Sequence, residues 1–292
     1  VNADAIILGT ALLVSTACAL LGTFLVLRRL SLLADAVSHA VLPGIVAGFW
    51  LSGGGRATLP ALLGAAALGL ITVTLVEALT RSGRVKGDAA IGLVFPALFS
   101  VGVLAVSVYF RNVHLDLDAV LYGEIAYAPF NDLMVAGRNL GPVSLWVMGA
   151  LTAVNLAFVT VMYKELKLST FDAGLAAALG FAPGALHYAL MALVSVTTVG
   201  AFDAVGAILV VAFMIVPAAT ASLLSRRLPI VLALAVLAGW TASIVGYVLA
   251  ILLDASIAGA IATILGVQFL LAVLLSPHGG VLTRTRNRAA SA

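Results

Sequence analysis

Charge is scarce in this chain. Of 292 residues only 9% are Asp, Glu, Lys or Arg, while 63% are hydrophobic. A soluble domain carries about a quarter charged residues. Such a composition excludes a disordered chain, and it excludes a nucleic-acid-binding domain, which needs a dense basic surface. Cysteine is limited to Cys18, mid-run, so no intrachain disulfide and no Cys-rich metal motif can exist. Lysine occurs only at Lys86, Lys164 and Lys167, never in a Gly-rich loop, so the phosphate-cradling G-x-x-x-x-G-K-[ST] pattern is missing.

Long apolar runs are what the sequence has in abundance. A membrane-crossing helix needs roughly 20 apolar residues. Nine stretches approach this, at 5–27, 32–51, 57–79, 89–110, 143–163, 184–201, 204–224, 229–252 and 257–276. The expected fold is an all-α integral membrane protein, a polytopic bundle of 8–9 transmembrane helices in a single domain over 1–292. The first run is too long for a signal-peptide core, and no A-x-A cleavage site follows it before Arg28, so it is expected to be a true span.

The charges give this bundle a direction. With nine spans and an external N-terminus, 12 of the 15 Lys/Arg fall on one side and only Arg56, Arg111 and Arg138 on the other. The Lys/Arg-rich side is the cytoplasmic one, which also places the C-terminus there. Two connections are long. The external segment 111–142 is expected to carry a short helix at the outer face. The cytoplasmic one, 164–183, reads as a short helix over about 169–182, capped by Ser169 or Thr170, with Asp172 in its first turn and ended by Gly180 and Pro183. An amphipathic helix on the cytoplasmic side of a protein with almost no soluble mass asks for a partner. Gly44-xxx-Gly48 and Ala242-xxx-Gly246 have the spacing that lets helices pack closely.

One stretch breaks the apolar pattern. In DAVSHAVLPG, Asp35 and His39 stand four apart, on one helical face. An aspartate inside a span costs about 2.5–3.5 kcal/mol on insertion scales, so such residues normally face a cavity, a charge or a cargo. Pro43 cannot donate to the carbonyl of His39, and Gly44 permits an unusual turn. A carboxylate, an imidazole and a freed carbonyl suit a divalent cation such as manganese, zinc or ferrous iron. One Asp and one His are too few ligands, and a two-fold dimer with this helix at its axis would supply two of each. A proton relay, or an Asp–His pair bonded to a neighbouring helix, are the alternatives. Elsewhere, His114, Asp116 and Asp118 form an external H-x-D-x-D, readable as metal capture or as a docking face. His187 reads as a core histidine, Asp203, Asp254 and Glu77 lie near span ends, and His278 is a tail residue.

Lacking a P-loop, the chain either moves cargo passively, couples to ions or borrows a separate ATPase. RRLSLLADAVSHAVLPG at 28–44 resembles the signature of permeases of metal-importing ABC transporters, the manganese, zinc and iron group. DLDAVLYGEI at 116–125, FDAGLAAALG at 171–180 and VGAILVVAFMIVPAATA at 205–221 resemble three further segments of that family, in order. Tyr122 and Glu124 stand where Phe and Asp are common, a small departure. The resemblance implies a homodimeric permease of the larger-bundle type, similar to cobalamin importers, in a bacterial cytoplasmic membrane and embedded in its lipid. It implies no permanent cofactor and no nucleic-acid partner. Manganese or zinc would be cargo, with manganese favoured. ATP would bind two cytoplasmic ATPase subunits, and an extracytoplasmic solute-binding protein would deliver the metal. Asp35 and His39 would coordinate the cation in transit. Phe171, Asp172, Ala176 and Gly180 would seat the coupling helix on the ATPase, and His114, Asp116, Asp118 and Glu124 would gate or dock outside. Pro43, Pro96 and Pro217 would serve as bending points for alternating access. The rival class is a secondary, proton-coupled metal transporter.

Overall fold

The computed structural model describes residues 2–32, 36, 40, 42–51, 58–109, 125–130, 132–135 and 138–276. Over these residues the chain is built of helices with one small strand pair. In order they are α1 (Ala3–Leu27), α2 (Leu42–Leu51), α3 (Thr58–Arg81) and α4 (Gly87–Tyr109), then a 3-10 helix (Ile125–Phe130), β1 (Asp132–Val135) and β2 (Arg138–Pro142). There follow α5 (Val143–Val161), α6 (Tyr163–Phe171), α7 (Ala173–Ala178), α8 (Pro183–Val205), α9 (Ala207–Leu224), α10 (Leu228–Leu253) and α11 (Ile257–Leu275).

Seven helices among the described residues are long and apolar enough to cross a bilayer: α1, α4, α5, α8, α9, α10 and α11. The protein is therefore a multi-pass membrane protein. Of the other two expected spans, 57–79 is matched by the 24-residue α3 and 32–51 is described mainly in α2.

Local chemistry sets the helix ends. α1 stops where Arg29 turns into the left-handed region at φ +59°. Pro229 occupies the first turn of α10, where its missing N–H costs nothing, and Asp254 closes that helix in the left-handed conformation. Ser256 caps α11 by accepting the Gly259 N–H at 3.3 Å. Between α8 and α9 the chain turns at a single residue, Gly206, whose φ of +82° only glycine adopts readily.

The chain divides into two compact units. The first comprises residues 1–27, 118–163 and 201–292. Its centre is α1, which packs against α5, α9 and α10, while α11 packs on α9 and α10. Val14, Ala17, Cys18, Leu21 and Phe24 of α1 have no exposed surface, as befits a helix that is apolar all round. At Gly22 a Cβ would overlap the Met214 carbonyl, so glycine fixes the α1–α9 approach. Polar pairs join the same helices: Trp240 Nε1 donates to Thr16 Oγ1 at 2.8 Å, Thr152 Oγ1 to the Leu13 carbonyl at 3.0 Å, and Tyr247 Oη to Asp4 at 2.8 Å. Such bonds contribute about 0.6 kcal/mol each in membranes, so close packing carries most of the stability. At Gly246, in the Ala242-xxx-Gly246 pattern, a Cβ would run into the Ile261 backbone of α11.

In the described part of 111–142, a short helix is present as a six-residue 3-10 helix rather than an α-helix, and it is followed by paired strands. Residues 125–130 form a 3-10 helix containing Pro129, and β1 and β2 pair antiparallel, Asp132 opposite Pro142 and Val135 opposite Arg138. Pro129 cannot sit inside an α-helix without loss of a bond, and Gly141 takes φ +90°.

The second unit comprises residues 28–117 and 164–200. Here α2, α3 and α4 pack on one another. The α2–α3 crossing is set by Gly44 and Gly64: a Cβ on either would overlap the other's backbone carbonyl. A Cβ on Gly102 of α4 would meet the ring and nitrogen of Pro43, 2.7–3.0 Å away. The Gly44-xxx-Gly48 pattern is thus spent on packing within the chain.

Candidate functional site

Asp35 and His39 lie outside the described residues, as do His114, Asp116, Asp118 and Glu124. Among the described residues no group of three or more His, Cys, Asp or Glu could hold a metal. The remaining sequence-derived residues, the 171–180 set and the three prolines, are all placed.

The segment 163–183 folds as two short helices. The first, α6, runs to Phe171, so Ser169 and Thr170 form its last turn instead of capping the next helix. The cap of α7 is Asp172: its carboxylate accepts the Leu175 N–H at 2.9 Å while its own backbone is extended. Six residues form no stable helix unaided. α7 persists because both ends are closed. At its C-terminus the Gly180 N–H reaches the Ala177 carbonyl and the Phe181 N–H the Ala176 carbonyl, each at 3.0 Å, with Gly180 at φ +87°. This is the paired 6→1 and 5→2 closure that requires a left-handed residue at Gly180.

Ala176 is fully buried and seats α7 against the rest of the chain. Everything else in 171–182 faces outward. Phe171 (63% exposed), Leu175 (47%) and Leu179 (61%) display a large apolar surface around one helical turn. Leu175 and Leu179 were not singled out in the sequence, although their i, i+4 spacing is the signal for a shared face.

Two polar contacts hold the flanks of α7. Before it, Arg28 donates through Nε to Thr170 Oγ1 at 3.1 Å and through a terminal nitrogen to Ser169 Oγ at 2.9 Å. Half-burial pulls the Arg28 guanidinium below its ordinary value, yet it stays charged at any accessible pH. After it, Tyr188 near the start of α8 donates its hydroxyl to Glu77 of α3, and the same carboxylate pairs with Arg81. The His187 ring stacks edge-on against Tyr188 at 5.7 Å and lies in the electrostatic field of Arg28, Glu77 and Arg81. Sequence reading placed Glu77 near the end of its span, but it read His187 as a core histidine, whereas His187 is only partly buried in the first turns of α8.

The prolines differ in setting. Pro43 is the second residue of α2, in a first turn that tolerates it. Pro96 lies inside α4 on an exposed face, and Pro217 lies inside α9, buried. Each of the latter two removes one bond from its helix, freeing the carbonyls of Gly92 and Phe213.

Comparison with known proteins adds identity to this geometry. Residues 4–276 match the ABC 3 transport family. The chain is 46% identical over 281 residues to the manganese transport system membrane protein MntD of Bacillus subtilis, covering 96% of this chain and 95% of that one. It is 51% identical over 274 residues to the zinc transport system membrane protein TroD of Treponema pallidum, covering 94% and 74%. Among solved structures it resembles PsaBC from Streptococcus pneumoniae in complex with a Fab, with a TM-score of 0.78 and 28% identity over 96% of this chain and 94% of that one. A multi-pass helical chain that matches over nearly its whole length belongs to the ABC 3 transport family, as a transport permease and not an enzyme, the ATPase of such systems residing in separate subunits.

Proposed function

We propose that this chain is the permease of an ATP-driven importer of divalent transition-metal cations, with manganese the favoured cargo and zinc or iron the alternatives. The observation that carries the reading is the near-full-length likeness to membrane proteins named for manganese and for zinc transport. Relatives from Haemophilus influenzae named as probable iron transport proteins, 32% identical, widen the cargo class without changing it.

In this reading the cation passes Asp35 and His39, supported by their i, i+4 spacing in the sequence and by the borderline hardness of the pair. Homodimerisation doubles the ligands, and two carboxylates balance the two cation charges. Manganese, which takes about six oxygen-rich ligands, is better served than tetrahedral zinc by a set that includes the His39 carbonyl. An extracytoplasmic binding protein delivers the metal over 111–130, where His114, Asp116, Asp118 and Glu124 gate or dock. Eight or nine spans, α3 and the 32–51 stretch completing the seven, give a larger-bundle permease in a bacterial cytoplasmic membrane. The Lys/Arg distribution supports an external N-terminus and a cytoplasmic C-terminus.

Two cytoplasmic ATPase subunits receive α7. The support is the exposed apolar surface made by Phe171 at the end of α6 together with Leu175 and the C-cap Leu179 of α7, a helix closed at Asp172 and Gly180. Ala176 serves from the inner side, by anchoring. ATP-driven closure then moves α7, and bending at Pro43, Pro96 and Pro217 alternates access to the site.

The test is cation uptake into proteoliposomes holding the permease with or without its ATPase subunits, under an imposed proton gradient. Uptake that needs the ATPase and ATP supports the importer. Uptake by the permease alone, driven by the gradient, would replace this reading with a proton-coupled secondary transporter.

A further inference from the structure

Both flanks of α7 are pinned to other parts of the second unit, and the two pins lead to different places. The earlier pin is Arg28, whose guanidinium spans the hydroxyls of Ser169 and Thr170 at 2.9 and 3.1 Å, immediately before the Asp172 cap. Ser169 is itself buried and also bonds the Leu166 carbonyl, so the acceptor end is fixed within α6. The donor end sits between α1 and the segment that carries Asp35, seven residues further along the chain. The later pin ties Tyr188 to Glu77 near the end of α3, with Arg81 holding the same carboxylate.

We propose that Arg28 is a positioning residue for energy coupling: it carries displacement of α7 directly into the chain that leads to Asp35. The physical reason is stiffness. A forked guanidinium with two charge-assisted bonds resists both translation and rotation of its partner, whereas an apolar contact slides. The Tyr188 pin ties the α8 side to α3, while the Arg28 pin ties the α6 side to the chain that runs on toward Asp35. Two serine/threonine hydroxyls suited to capping are consumed as acceptors at this pin, and Asp172 caps in their place. The proposal rests on the reading that α7 seats the ATPase.

The experiment uses the permease assembled with its ATPase subunits in proteoliposomes and measures manganese uptake, ATP hydrolysis and subunit co-purification together. Arg28→Ala is expected to lower cations imported per ATP by about fivefold or more, the low end of ordinary coupling between sites. Basal hydrolysis and co-purification should match wild type, and Arg28→Lys should restore part of the ratio. The Ser169→Ala, Thr170→Val double variant leaves every charge in place. It should lower the ratio similarly and add nothing to Arg28→Ala. An unchanged ratio in either variant, or losses that simply add, would overturn the proposal. If Arg28→Ala fails to accumulate, the hydroxyl variant decides alone. Failure of the underlying reading looks different: Phe171→Asp, Leu175→Asp, Leu179→Asp would then still co-purify with the ATPase subunits.

Discussion

Replacing Gly180 with alanine isolates one backbone conformation at the end of α7. Gly180 sits at φ +87° with nothing within 4 Å of where a Cβ would stand, so no clash follows and the cost is conformational only. An L-residue in the left-handed region costs about 1–2 kcal/mol. The change bears on the two closing bonds, Gly180 to Ala177 and Phe181 to Ala176, since both require that turn. If the native conformation loses that much against local opening, the opening equilibrium rises about 5- to 30-fold. Hydrogen exchange by mass spectrometry on the permease in nanodiscs reads this directly over 173–181. Exchange there should accelerate by that factor in Gly180→Ala, while peptides of α1 stay unchanged. Gly180→Asn should show a smaller effect, because asparagine visits the left-handed region more readily. Equal exchange in Gly180→Ala and wild type would refute the argument, and so would an asparagine variant as damaged as alanine.

Two other substitutions discriminate further. Gly64→Ala should destabilise the α2–α3 crossing by about 1–3 kcal/mol, as overpacking does, whereas Gly92→Ala, facing open space on α4, should be neutral or slightly stabilising; thermal melting of the purified protein by intrinsic fluorescence ranks the two, and a reversed order would contradict the packing. Exchanging Phe171, Leu175 and Leu179 for Asp should abolish co-purification with the ATPase subunits and leave the melting temperature within a degree or two, because these side chains are exposed.

The spans were legible because each is a long apolar run with its own stop. The expected 229–252 and 257–276 became Leu228–Leu253 and Ile257–Leu275, bounded by Arg227-Leu228-Pro229 and by Asp254 to Ser256. What local pattern could not show was competition from distance. Ser169 and Thr170 are good capping residues, but Arg28, more than 140 positions away, takes their hydroxyls. The next residue able to cap, Asp172, does so, and the helix shrinks from about 169–182 to 173–178. In the outer segment a short helix was legible but the strand pair after it was not. Its polar and apolar residues alternate too irregularly to reveal the strand pair, while Pro129 and Gly141 argue against an α-helix. In the candidate site, the i, i+4 spacing predicts a shared face for Asp35 and His39, which lie outside the described residues, while the exposed leucines of α7 emerged only from burial.

The most direct measurement is ATP-driven manganese uptake by the assembled complex, loaded through its binding protein, for wild type, Asp35→Ala and His39→Ala. If the cation crosses at this pair, each variant should lose at least about tenfold in uptake while assembly with the ATPase subunits is retained, since half the side-chain ligands of a dimeric site disappear. Wild-type uptake in both variants would remove Asp35 and His39 from the import pathway.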